Sequence, residues 1–150
     1  MTMQQQTRSD AGLATVLRIS VSRLARRLRA ERITKGMEPV LSDTQLAALA
    51  ALERHSAMTP GELAEHEKVQ PPSMTRVITV LEEHGLVVRS PHATDRRQVV
   101  LTVTDRGRDL VHQARKLREA WLAKRLRELT PAERSTLRAA APILEKLSQS

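Results

Sequence analysis

Residues 85–107 read Gly-Leu-Val-Val-Arg-Ser-Pro-His-Ala-Thr-Asp-Arg-Arg-Gln-Val-Val-Leu-Thr-Val-Thr-Asp-Arg-Gly, two short β-prone runs in a chain that otherwise reads as helix. In the second run Val99, Leu101 and Val103 face one way and Val100 and Thr102 the other, the period of a half-buried strand. An isolated hairpin is marginal in water, so this one must lean on the helices around it. The pattern predicts a mainly α fold carrying a small β-hairpin wing, whose polar tip holds Asp95, Arg96 and Arg97.

The helices announce themselves by stripes and caps. Leu13, Leu17, Val21, Leu24 and Leu28 recur every three or four residues from Asp10 to about Arg32, and Gly36 and Pro39 end that helix. Ser42 with Gln45 and Thr59 with Glu62 form capping boxes, the second followed by Pro60 in the first helical position. Pro71 and Pro72 suit only the first turn of a helix that runs to His84, with Val77, Ile78 and Leu81 as its apolar face and Gly85 as its stop. Thr104 caps a long helix carrying Leu110, Ala114, Leu117, Trp121 and Leu126. Thr130-Pro131-Ala132-Glu133 opens the last one, with Leu137, Ala140, Leu144 and Leu147. The order is four helices, the hairpin and two helices. The stretch 42–104 can pack as a compact lobe, leaving 10–35 and 105–148 as helical extensions from opposite chain ends. Their apolar stripes predict pairing with each other and with a second copy, hence a homodimer.

Composition narrows the partners. The net charge is +8 with a pI of about 11.1, which points first to nucleic acid and second to anionic membrane. Trp121 is the sole aromatic residue, so the chain cannot stack bases as single-strand and RNA binders do, which favours duplex DNA. No cysteine is present, which removes disulfides, thiolate metal sites and thiol redox sensing. No run is apolar enough to span a bilayer and the N-terminus lacks a signal-peptide core, so a cytoplasmic location is expected. There is no Gly-rich phosphate loop, HExxH or nucleophile elbow, so no enzyme and no cofactor are expected. His55, His66, His84, His92 and His112 fall on different elements with no i, i+4 pair, so no metal site is expected.

The charge is uneven. Arg8, Arg18, Arg23, Arg26, Arg27, Arg29, Arg32 and Lys35 face only Asp10 and Glu31 in the first helical stretch. A solvated face and a DNA-facing role are both open for these arginines. The pair of helices before the hairpin is a helix-turn-helix, whose second helix would enter the major groove by its N-terminal residues. There Pro72, Ser73, Thr75 and Arg76 are the candidate contacts, with Thr79 one turn on. Arg76 can reach a guanine O6/N7 pair. Arg96 and Arg97 suit the minor groove, whose negative potential attracts guanidinium groups. Asp95 repels phosphate, and its expected part is to pair with an arginine and hold its rotamer.

The ordered string Gln70-Pro71-Pro72-Ser73, Arg76, Leu81-Glu82-Glu83-His84-Gly85-Leu86-Val87, Asp95-Arg96-Arg97, Leu101-Thr102 and Thr104-Asp105-Arg106-Gly107 resembles the MarR family of winged-helix regulators. The resemblance covers about residues 10–148. It implies a triangular homodimer whose terminal helices form the interface and whose two lobes bind a pseudo-palindromic site. Recognition-helix contacts carry over to Ser73, Thr75 and Arg76, and the wing's Asp-x-Arg pattern to Asp95 and Arg97, with Arg96 between them a further contact. It also implies repression relieved by a small phenolic or lipophilic ligand, here in a pocket lined by Leu, Val, Met and Trp121. The expected function is thus sequence-specific regulation from double-stranded DNA. The alternatives are a generic architectural or protein-interaction module and a membrane-binding first helix.

Overall fold

The computed structural model describes residues 1–150, except for the side chains of residues 33 and 34. The helices are α1 (Met3–Gln6), α2 (Asp10–Thr34), α3 (Asp43–His55), α4 (Pro60–Glu67), α5 (Pro71–Glu83), α6 (Asp105–Arg127) and α7 (Pro131–Ser148). The strands are β1 (Ala57–Met58), β2 (Val87–Pro91) and β3 (Val99–Val103), in the antiparallel order β1-β3-β2.

The capping signals act as read. Ser42 and Gln45, Thr59 and Glu62, and Thr130 and Glu133 each exchange side-chain bonds with the other's backbone N–H. Each box satisfies two donors that a helix start leaves orphaned. Two elements are additions to the sequence reading. The one-turn α1 is too short to show a period. Strand β1 exists only because Ala57 and Met58 lie beside Thr102 and Leu101 on β3. Two residues carry no alternation, so only tertiary pairing reveals them.

The core lies where α3, α4, α5, the sheet and the first half of α6 meet. Leu49, Leu52, Leu63, Met74, Ile78, Leu81, Leu86, Leu101 and Val111 are fully buried there. Helix α2 packs along α6, but Leu13, Val21 and Leu24 are exposed on the single chain. Helix α7 buries no residue, and its Leu137, Ile143, Leu144 and Leu147 face outward. Among the described residues, no helix is long and apolar enough to cross a membrane.

Candidate nucleic-acid interface

The turn between α4 and α5 is sharp because Lys68 adopts the left-handed conformation, φ 52°, and its N–H closes back on the end of α4. Gln70 is extended and Pro71 starts α5 with φ already suited to a helix. One face of α5 is fixed by Met74, Val77, Ile78 and Leu81 in the core. The opposite face therefore presents Pro72, Ser73, Thr75, Arg76 and Thr79, all exposed. The hydroxyls differ in what they offer. Thr75 donates to the Pro71 carbonyl at 3.0 Å and Thr79 to the Thr75 carbonyl at 2.9 Å. Both hydrogens are thereby engaged, and the two oxygens remain as acceptors only. Ser73 and Arg76 have no side-chain partner among the described residues.

The wing is tied to α5 by an ion pair between Arg89 on β2 and Glu82, at 2.6 Å. It is also locked at its base. The Thr104 hydroxyl donates to the Gly85 carbonyl at 2.7 Å and accepts from the Gly107 N–H at 3.1 Å, while the Thr104 N–H reaches Leu86 at 3.0 Å. Gly85 sits at φ 69°, where a side chain would be strained. Gly107 is buried against the Leu86 carbonyl so closely that a Cβ would collide with it. Sequence reading placed Thr104 as a cap but could not see this second bond, because its partner lies 19 positions away.

At the wing tip the expected Asp95–arginine pairing does not form. The Asp95 carboxylate instead accepts the backbone N–H of Arg97 at 3.0 Å. This local bond is short-range and loses no side-chain entropy on the arginine. Arg96 and Arg97 are exposed and carry no ion pair or hydrogen bond from their side chains among the described residues.

The arginines of α2 divide. Arg27 pairs with Glu31 at 3.1 Å and stacks on Trp121 at 4.8 Å, with Arg125 also 5.4 Å from the ring centroid. Arg29 and Arg32 both reach Asp43 at the start of α3, at 3.1 and 2.8 Å. These three bind the chain itself, although Arg27 and Arg29 are exposed, as are Arg18, Arg23 and Arg26. Arg32 is only 5% exposed, and its Nε and Nη1 have no partner among the described residues. It lines a cavity of about 120 Å³ with Arg29, Asp43, Leu46, Ala47, Ala50 and Arg118. Burial first, then the charges of Arg32 and Arg115, push the Arg118 guanidinium below its ordinary pKa. The cavity lining is largely cationic and does not include Trp121. Trp121 opens instead onto a separate groove with Arg27, Glu31, Lys35 and Lys124.

The histidines fare differently from one another. His55 and His66, far apart in sequence, meet edge to face at 4.8 Å between ring centroids. His112 bonds Glu53 at 3.1 Å, joining α6 to α3 and holding the Glu53 carboxyl below its usual range. Among the described residues, no group of three or more His, Asp or Glu is placed to hold a metal ion.

The sequence profile of the MarR family matches residues 41–99, which span α3 to the start of β3. An uncharacterized HTH-type transcriptional regulator of Mycobacterium bovis is 48% identical over 91% of this chain and 92% of its own length. The chain belongs to the MarR family. As a MarR-family protein it is a DNA-binding transcriptional regulator. The HTH-type transcriptional repressor MdtR of Bacillus subtilis is 29% identical over 91% of the chain and 86% of its own. A crystal structure of a transcriptional regulator from Pseudomonas aeruginosa superposes with a TM-score of 0.82 at 36% identity, covering 96% of this chain and 99% of that one. The regulator's winged helix-turn-helix comprises α4, α5 and the β2–β3 hairpin.

Proposed function

We propose that this regulator is a repressor that binds a pseudo-palindromic operator as a homodimer. Pro72, Ser73, Thr75, Arg76 and Thr79 face the major groove, and Arg96 and Arg97 grip the minor groove. The observation that carries this reading is that Arg76 on α5 and Arg96 and Arg97 on the wing are charged, exposed and without side-chain partners among the described residues, while α2's Arg27 and Arg32 pair within the chain. Repression is supported by the similarity to a Bacillus subtilis protein named as a repressor. Dimerisation is supported by Leu13, Val21, Leu24, Leu137, Ile143, Leu144 and Leu147, which no single chain covers. A lobe of about 42–104 reads the DNA, and 10–35 with 105–148 pair the copies. Asp95 serves the tip rather than the DNA.

The reading includes a small-molecule effector. The cavity between α2, α3 and α6 offers guanidinium donors on one side and Leu46, Ala47 and Ala50 on the other. It therefore suits a small phenolic or acidic molecule better than a purely lipophilic one.

Selection of duplexes from a random pool by the full-length protein tests the whole. A palindrome with half-sites about one helical turn, ~34–36 Å, apart is expected. Arg76→Ala should relax preference at one base pair, at a cost of about 1–3 kcal/mol against the selected site. Arg97→Ala should weaken all sequences alike. Affinity should fall steeply with salt as bound phosphates release counterions. Equal affinity for random and selected duplex would sink the sequence-specific reading and leave the generic module.

A further inference from the structure

The bonds that shape the wing tip converge on one side chain that neither the family's wing pattern nor the charge pattern singles out. Residues 92–98 join β2 to β3, and the His92 N–H closes them by reaching the Gln98 carbonyl at 3.1 Å. Inside that loop the His92 Nδ1 accepts the Asp95 N–H at 3.1 Å and the Thr94 N–H at 3.2 Å, and lies 3.3 Å from the Thr94 hydroxyl. Asp95, so placed, receives two further bonds: its carboxylate takes the Arg97 N–H at 3.0 Å and its carbonyl the Gln98 N–H at 3.0 Å. His92 is half-buried while residues 93–98 are all exposed, so the ring is the tip's only interior.

We propose that His92 is a positioning residue for the wing: its Nδ1 organises the 92–98 turn so that the side chains of Arg96 and Arg97 project before DNA arrives. This rests on the reading of Arg97 as a DNA contact. Accepting these amide N–H groups uses the lone pair of Nδ1, which belongs to the tautomer with its hydrogen on Nε2. The order of dependence is His92 to Asp95 to the Arg97 backbone. A tip without these ties would have to be ordered at the moment of binding, and that entropy would be lost from affinity. A tip already ordered spares it. Asn offers the same geometry, because its Oδ1 stands where Nδ1 does and accepts like it. Ala offers nothing.

The test uses the full-length protein and the duplex selected by the wild type, and compares His92→Ala, His92→Asn and Arg97→Ala by fluorescence anisotropy, melting and NMR. His92→Ala should bind about tenfold more weakly, the effect of two hydrogen bonds of ordinary net strength. His92→Asn should restore binding to within about twofold, since two acceptor bonds are regained. Side-chain ¹⁵N shifts should show Nδ1 unprotonated. The Thr94 and Asp95 amide signals should move in His92→Ala and return in His92→Asn. Arg97→Ala weakening with His92→Ala binding like wild type overturns the proposal, as does a failure of Asn to rescue or a proton found on Nδ1. A melting loss in His92→Ala as large as that of a core truncation also overturns it, because His92 would then serve the fold. Arg97→Ala binding like wild type overturns the wing-contact reading and the proposal with it, a result that the Arg97 variant alone identifies.

Discussion

Among the described residues Asp43 is the sole carboxylate that meets Arg32, and removing it should destabilise the protein more than removing Arg32 itself. Arg32 is 5% exposed, with one nitrogen 2.8 Å from Asp43 and two others unpartnered among the described residues. Breaking a buried pair from one side costs about 3–5 kcal/mol, because the remaining charge is stranded. The Asp43 side chain is 56% exposed, so water can replace part of what is lost, and about 2 kcal/mol is the appropriate size. Asp43→Asn also loses a favourable charge at the N-terminus of α3, worth about 0.5 kcal/mol. For a chain of this size the sum corresponds to a fall in Tm of about 5–10 °C. Arg32→Met keeps the volume and removes the charge together with its two orphaned donors, so it should stay within about 1 kcal/mol of wild type or stabilise. In the Arg32→Met background, Asp43→Asn should cost only the helix-terminus contribution and the small contribution of the exposed Arg29 pair. Urea titrations of the four proteins measure this, at one fixed protein concentration because self-association adds stability by mass action. A neutral Asp43→Asn, or an Arg32→Met that costs more than Asp43→Asn, would refute the argument that a stranded buried charge governs this site.

Further outcomes are expected elsewhere. Gly107→Ala forces a methyl into the Leu86 carbonyl and should cost about 1–3 kcal/mol by calorimetry, as overpacking does; a change within experimental error would mean that the junction yields easily. Leu144→Glu with Leu147→Glu charges the exposed face of α7, and sedimentation should shift to the mass of a single chain while far-UV circular dichroism is kept; an unchanged mass would place the interface elsewhere. The Thr130 N–H and then its hydroxyl hold the Glu133 carboxyl below the ordinary carboxylate range. A depressed carboxylate stabilises the fold fully above its unfolded-state pKa and loses that contribution as pH falls through the folded-state value. The stability gap between wild type and Glu133→Gln should therefore be full at neutral pH and close in acid; a gap independent of pH would assign the cap to hydrogen bonding alone.

What could be read in advance was local. Capping boxes at Ser42, Thr59 and Thr130 are decided within four residues, and all three form. The helix-turn-helix was legible because Pro71 and Pro72 permit one start and Gly85 one stop. The exposed face of α5 followed from its period, and Ser73, Thr75, Arg76 and Thr79 are where the stripe puts them. Asp95 was misread because charge alone suggests an ion pair, whereas the nearer backbone N–H of Arg97 is the better partner in a tight turn. The arginines of α2 were indistinguishable on a helical face, since only the arrival of α3 and α6 shows that Arg32 is buried and that Arg27 and Arg29, still exposed, find partners within the chain.

The amino-acid sequence by itself determined the order of elements, their ends and which face of each is apolar, because propensity, caps and periodicity act over one or two turns. Tertiary structure alone decided that β1 joins β3, that Thr104 latches onto Gly85, that Arg32 is buried against Asp43 beside a small cavity, and that His92 fills the wing tip. Each of these depends on a contact whose partner is set by the path of the chain in space, or on competition among several nearby donors, and neither is encoded in any short run of residues.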